Sequence, residues 1–291
     1  MNNYSWLIRR EFWENRAIWM FPAVLGGFLL IVALFSKIEL LSLPAQIPSQ
    51  AVGQAFLGII AAIFFAVMAI YSTWYLLDCL YADRKDRSIL FWKSLPISDA
   101  STVLSKLAIA LLVIPLVYVA VADLTTLLMA FIISVRASSF IGGALWHGDV
   151  WLQLQGLWLY LIFIAAVWFL PLSAYLLVVS AWAKRAVMLW SILPPLALVL
   201  AERLFMGTHV IASVLAGRLV LPVEAFNANP GSGAWVTTVI GHDTIRTPTS
   251  IWSFLNIGGF LSSPETWIGV AIGVVLVFCA IQLRMRRTEI S

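Results

Sequence analysis

Three histidines, two cysteines and a few isolated acids are the residues in this 291-residue chain that could do chemistry. His147, His209 and His242 lie far apart, and none belongs to a His-Glu-x-x-His stretch, the spacing that sets two imidazoles on one helix face for zinc. Cys79 and Cys279 sit in or beside apolar runs with no second Cys or His at ligand spacing. They read as small buried apolar fillers, with no metal site and no disulfide framework expected. Gly231-Ser232-Gly233 has the outline of a serine-nucleophile turn, but no partner His falls within an apolar run, so it reads as a turn. Asp123 stands inside an apolar run, where an ionised carboxylate costs about 2.5–3.5 kcal/mol. It serves either a pathway for a polar or cationic substrate or a hydrogen bond to Thr125, Thr126 or a neighbouring helix. Glu202 and Arg203 read as a gate or, more simply, as a local charge pair at a membrane boundary, and Asp78 as interfacial. A membrane protease or lipid transferase would have to be assembled from Asp123, Glu202 and these histidines.

A denser signal lies at 81–98, Tyr-Ala-Asp-Arg-Lys-Asp-Arg-Ser-Ile-Leu-Phe-Trp-Lys-Ser-Leu-Pro-Ile-Ser. A charged run leads into Ile89, Leu90, Phe91 and Trp92, and Pro96 ends any helix begun there. Ser98 can cap the next helix, with Asp99 in its first turn. The product is a short stiff element with an apolar face and a charged flank. It could dock in a cleft of a partner and pass its movement to two flanking helices.

The elements that must position these residues are membrane spans. The chain is 62% hydrophobic and 11% charged, too apolar for a water-facing globular surface. Its fourteen Trp and seven Tyr suit headgroup boundaries. Apolar runs near 17–36, 52–80, 103–135, 151–183, 187–206 and 265–283 predict six transmembrane helices in a single all-α membrane domain. The first run follows Arg9, Arg10 and Arg16, lacks a small-residue cleavage site and is expected to remain as the first span. Pro115, Pro171, Pro194 and Pro195 fall inside runs and favour kinks. Tyr4 to Trp19 mixes aromatic and charged residues as an interfacial helix would, the alternative being a frayed lead-in. In the outer loop, 207–264, Val210 to Val223 is too short to span and is read as an interfacial or re-entrant helix. Asn227–Gly233 and Thr247–Ser250 are read as turns. Only Lys37, Arg136, Arg203, Arg218 and Arg246 fall on one side of this topology, which places the other basic residues and both termini in the cytoplasm.

Asp83-Arg84, Ser88, Leu90 and Ser94-Leu95-Pro96 before a capped helix resemble the coupling-helix signature of type-2 ABC exporter permeases. The six spans, interfacial N-terminal helix, cytoplasmic termini and long outer loop fit the same family, which often has Glu and Gly-Thr where this chain has Asp83 and Arg87-Ser88. The resemblance implies a permease subunit of the bacterial inner membrane, working with a second copy or a related permease and two ABC ATPase subunits. ATP and Mg would be held by the ATPase, because this chain has no Gly-x-x-x-x-Gly-Lys-Ser/Thr loop. It implies coupling roles for Asp83, Arg84, Arg87, Leu90, Trp92 and Leu95, with no catalytic nucleophile or cofactor in this chain; Asp123 is the pathway candidate by its place inside an apolar run, and the small net charge implies no nucleic-acid partner. A membrane enzyme, or a scaffold whose loop recruits a different partner, is the alternative.

Overall fold

The computed structural model describes residues 3–36, 49–86, 98–136, 143, 145–227, 235–240, 243–248 and 250–286. Helices α1 (Asn3–Glu14), α2 (Ala17–Phe35) and α3 (Ser49–Lys85) come first, followed by α4 (Asp99–Ala108), which runs through a π turn (Ile109–Val113) into α5 (Ile114–Arg136). Then come α6 (Gly148–Trp168), α7 (Leu170–Trp182), α8 (Val187–Phe205) and α9 (Val210–Leu219). A 3-10 turn (Val223–Ala225), strands β1 (Trp235–Ile240) and β2 (Asp243–Pro248), and short helices α10 (Ile251–Phe254) and α11 (Ile257–Ser262) lead to α12 (Pro264–Arg286). Among the described residues, six stretches are long and apolar enough to cross a membrane: Ala17–Phe35, Val52–Lys85, Asp99–Arg136, Gly148–Trp168, Val187–Phe205 and Pro264–Arg286. Five of them overlap the expected runs closely and the fourth covers only the first part of 151–183, while large apolar side chains such as Phe28, Leu159, Leu198 and Val275 face outward, as a bilayer solvent requires.

The prolines act unequally. Pro115 has no N–H to offer the carbonyl four residues back, and the chain relieves this with the π turn just before it, where Ile114 N–H donates to Ile109 O. The Ser72 hydroxyl reaches across from α3 to the neighbouring Ala110 carbonyl at 3.5 Å. Pro171 follows a full break at Phe169, so the run at 151–183 is two helices rather than one. Pro194 and Pro195 lie inside α8, which is continuous through them.

The most extensive helix contact joins α12 to α7. The buried face of α12 is Thr266, Gly269, Gly273, Val277, Ala280 and Arg284, a stripe at spacings of three and four. Gly273 lets the backbones of α12 and α7 approach, whereas Gly269 makes room for the Arg218 guanidinium. A Cβ at Gly273 would lie 2.8 Å from Leu170 Cγ and 3.2 Å from Pro171 N. Gly273→Ile should therefore cost about 1–3 kcal/mol through overpacking, read as an earlier thermal unfolding midpoint in detergent. An unchanged midpoint would mean that α12 can move off α7 freely. On α7 the Ser180 hydroxyl accepts from Leu80 N and Tyr81 N at 3.1 and 3.0 Å, seating α7 against α3.

The segment before α12 holds a helix, Val210–Leu219, within the 210–223 stretch where one was expected. It also holds an antiparallel hairpin, Trp235 paired with Pro248 through Ile240 with Asp243. Thr247 and Pro248 thus belong to a strand where turns were expected, and residues 228–234 lie outside the described set. The β-branched pattern Val-Thr-Thr-Val-Ile is the signal for that strand. Of the two cysteines, Cys79 is buried as expected, whereas Cys279 is exposed on the outer face of α12.

Candidate functional site

Charged side chains gather at the end of the bundle where α1 and α12 both pack against α4. α1 turns Glu11 inward, leaving Trp13 and Glu14 outside, so Glu11 is only 4% exposed. Lys106, one turn before the π segment, is 3% exposed and donates to Glu11 Oε1 at 2.8 Å, to Cys79 O at 2.9 Å and to Asp83 Oδ1 at 3.4 Å. Tyr75 OH donates to the second Glu11 oxygen at 3.2 Å. Arg284 closes the set, with Nη1 on Asp83 Oδ2 at 3.0 Å and Nε on Asp99 Oδ1 at 3.1 Å. The buried Arg84 sends Nη2 to the Ser180 and Ala183 carbonyls at 2.5 and 2.9 Å, a cation on the last turn of α7.

Three carboxylates (Glu11, Asp83, Asp99) balance three cations (Lys106, Arg284, Arg84). Charges withdrawn from water persist only when paired and hydrogen-bonded in this way. The set ties α1, α3, α4, α7 and α12 together at one end. Asp83 and Asp99 stand on either side of residues 87–97, and Arg284 holds both, so the two stems of that connection are fixed to each other through the last span. Ser98 caps α4 as expected, its Oγ accepting from Ser101 N at 3.1 Å.

Of the coupling residues expected from the sequence, Asp83 and Arg84 are in this network, facing into the bundle. Arg87, Leu90, Trp92 and Leu95 lie outside the described residues. Asp123 is half-buried on α5, its carboxyl group facing Gln155 on α6, with Oδ1 enclosed and unpartnered. Thr125 and Thr126 donate to Val121 O and Ala122 O of their own helix. Glu202 does not pair with the exposed Arg203. Its carboxylate accepts from Thr208 Oγ1, Val210 N and Ile211 N at 2.6–2.8 Å, capping α9. His147 and His209 precede α6 and α9, while His242 and Gly231–Gly233 lie outside the described residues. Asp78 is exposed near the charged end of α3.

Glu11, Lys106, Asp99 and Arg284 enter a sequence reading only as interfacial, topogenic or capping charges. Their one distinguishing mark is position, Lys106 inside an apolar helix and Arg284 on the stripe that carries Gly269 and Gly273. At the opposite end, Arg218 of α9 stacks 3.8 Å above the Trp168 ring and donates to the carbonyls of Trp168 and Glu265. Arg218→Ala should free α9 locally at a cost of about 1–2 kcal/mol, seen as faster proteolysis within 207–227. Native-like protection would refute the clamp. No protein-family model matches this sequence, and no curated protein or solved structure matches it significantly.

Proposed function

We propose that this chain is the permease subunit of an ATP-driven ABC exporter, working as a dimer and driven by separate ATPase subunits seated on its 87–97 connection. The signature around that connection supports the reading, and so does the way its stems are held. The observation that carries most weight is Arg284, which bonds the carboxylate before the connection and the carboxylate after it. A push on the connection from a cytoplasmic partner would be delivered jointly to α3, α4 and α12 rather than absorbed by a loose loop. In this reading Asp83 and Arg84 anchor the stem, and Arg87, Leu90, Trp92 and Leu95 are the residues that meet the ATPase. Asp123, half-buried and facing Gln155, is the pathway candidate.

The test is co-purification with a soluble ATPase encoded beside this chain, followed by an assay of ATP hydrolysis. The native chain is expected to retain the ATPase and alter its rate. Arg87→Ala with Leu90→Ala should release it while the permease stays folded. Retention of the ATPase by the double variant, or no ATPase captured by the native chain, would remove the reading's support.

A further inference from the structure

A cavity of about 580 Å³ opens beside the charge network, between the α1–α2 junction and α3. Its floor is aromatic. Phe21 of α2 packs on Tyr71 with ring centroids 5.5 Å apart, and Trp74 and Tyr75 continue the wall along α3. Tyr71, Trp74, Tyr75 and Asp78 fall on one stripe of that helix, so three rings and a carboxylate face the same space. The basic groups at the cavity are already engaged, Lys106 with Glu11 and Asp83, and Arg10 with Glu14. Among the described residues Asp78 and Asp86 make no ion pair, which leaves the mouth negative.

Trp74 and Asp78 also border a second cavity, about 650 Å³, on the other flank of α3. That space is walled largely by apolar side chains of α3, α5, α6, α7 and α8, among them Phe65, Leu77 and Leu172. One shared rim therefore joins an aromatic, anionic compartment to an apolar one. Aromatic faces with an adjacent carboxylate are the surroundings an alkylated ammonium or other soft organic cation prefers, because it loses little hydration on entering and gains the ring quadrupoles.

We propose that this pair of cavities is a binding site for amphiphilic organic cations, the charged head against Trp74, Tyr71 and Asp78 and the apolar body along the neighbouring groove. The site needs neither nucleotide nor partner, so it stands or falls separately from the permease reading. The head chemistry is shared by membrane lipids with an ammonium headgroup and by soluble lipophilic cations.

The test uses the full chain in an uncharged maltoside detergent, titrated calorimetrically with tetraphenylphosphonium and, separately, with tetraphenylborate, which has the same shape and the opposite charge. Saturable binding of the cation alone is expected. Trp74→Ala should weaken it by about tenfold and Asp78→Asn by several-fold; both side chains are exposed, so both variants should fold normally. Phosphatidylethanolamine added to the micelles assigns the source: competition with the probe identifies a lipid headgroup site, and its absence identifies a site for soluble cations. No saturable binding, equal binding of the borate, or unchanged affinity in both variants would overturn the proposal.

Discussion

Lys106→Ala is expected to lower the unfolding free energy by about 3–5 kcal/mol, because it removes the cation from buried carboxylates without removing the carboxylates. All three ammonium donors are in use, on Glu11, Asp83 and the Cys79 carbonyl. Afterwards Glu11 would keep only the Tyr75 hydroxyl, and Asp83 would keep Arg284. Equilibrium unfolding of the purified chain in mixed micelles measures the loss. A companion variant, Lys106→Met with Glu11→Gln, should recover most of it, since removing both members of a buried pair costs far less than removing one. If Lys106→Ala unfolds like the native chain, water reaches the network and the pairing is not what holds α1 to the bundle.

Arg284→Lys carries the second large effect even though it keeps the charge. The guanidinium serves Asp83 through Nη1 and Asp99 through Nε, two carboxylates on different helices, whereas a single ammonium on a flexible stem cannot reproduce that fork. One stem of the 87–97 connection should come loose. Amide exchange over Asp99–Ser105 is expected to quicken by about tenfold, which corresponds to about 1.4 kcal/mol of lost local stability, while the middle of α12 keeps its protection. Under the permease reading the same variant should still bind the ATPase but transport poorly for each ATP hydrolysed. Unchanged exchange at the start of α4 would show that Asp99 does not depend on Arg284.

What was legible in the sequence followed from solvent and length. The apolar runs located the six candidate spans because a bilayer demands about 20 apolar residues for each crossing, and Ser98 announced the start of α4 by its capping chemistry. The break at Phe169 was not legible, since Pro171 alone does not distinguish a kinked helix from two helices. The hairpin at 235–248 hid in a loop whose polarity suggested turns, although its β-branched residues pointed to a strand. The charge network was the least visible. Its members are spread from Glu11 to Arg284, and no local pattern reveals which charges will turn inward. Glu202 shows the same limit, because its partners are backbone N–H groups of the following helix rather than the adjacent arginine.

The π turn at Ile109–Val113 sets the screw phase of the whole third span. An α-helix advances one turn in 3.6 residues, so the extra residue accommodated there rotates everything before it by about 100° relative to everything after it. Lys106 looks at Glu11 while Tyr118 stacks on Tyr71 only because those two halves are out of step. Deleting one residue from Ile109–Val113 would bring the halves back into step and swing the ammonium a quarter-turn away from its carboxylates, with no charged residue altered.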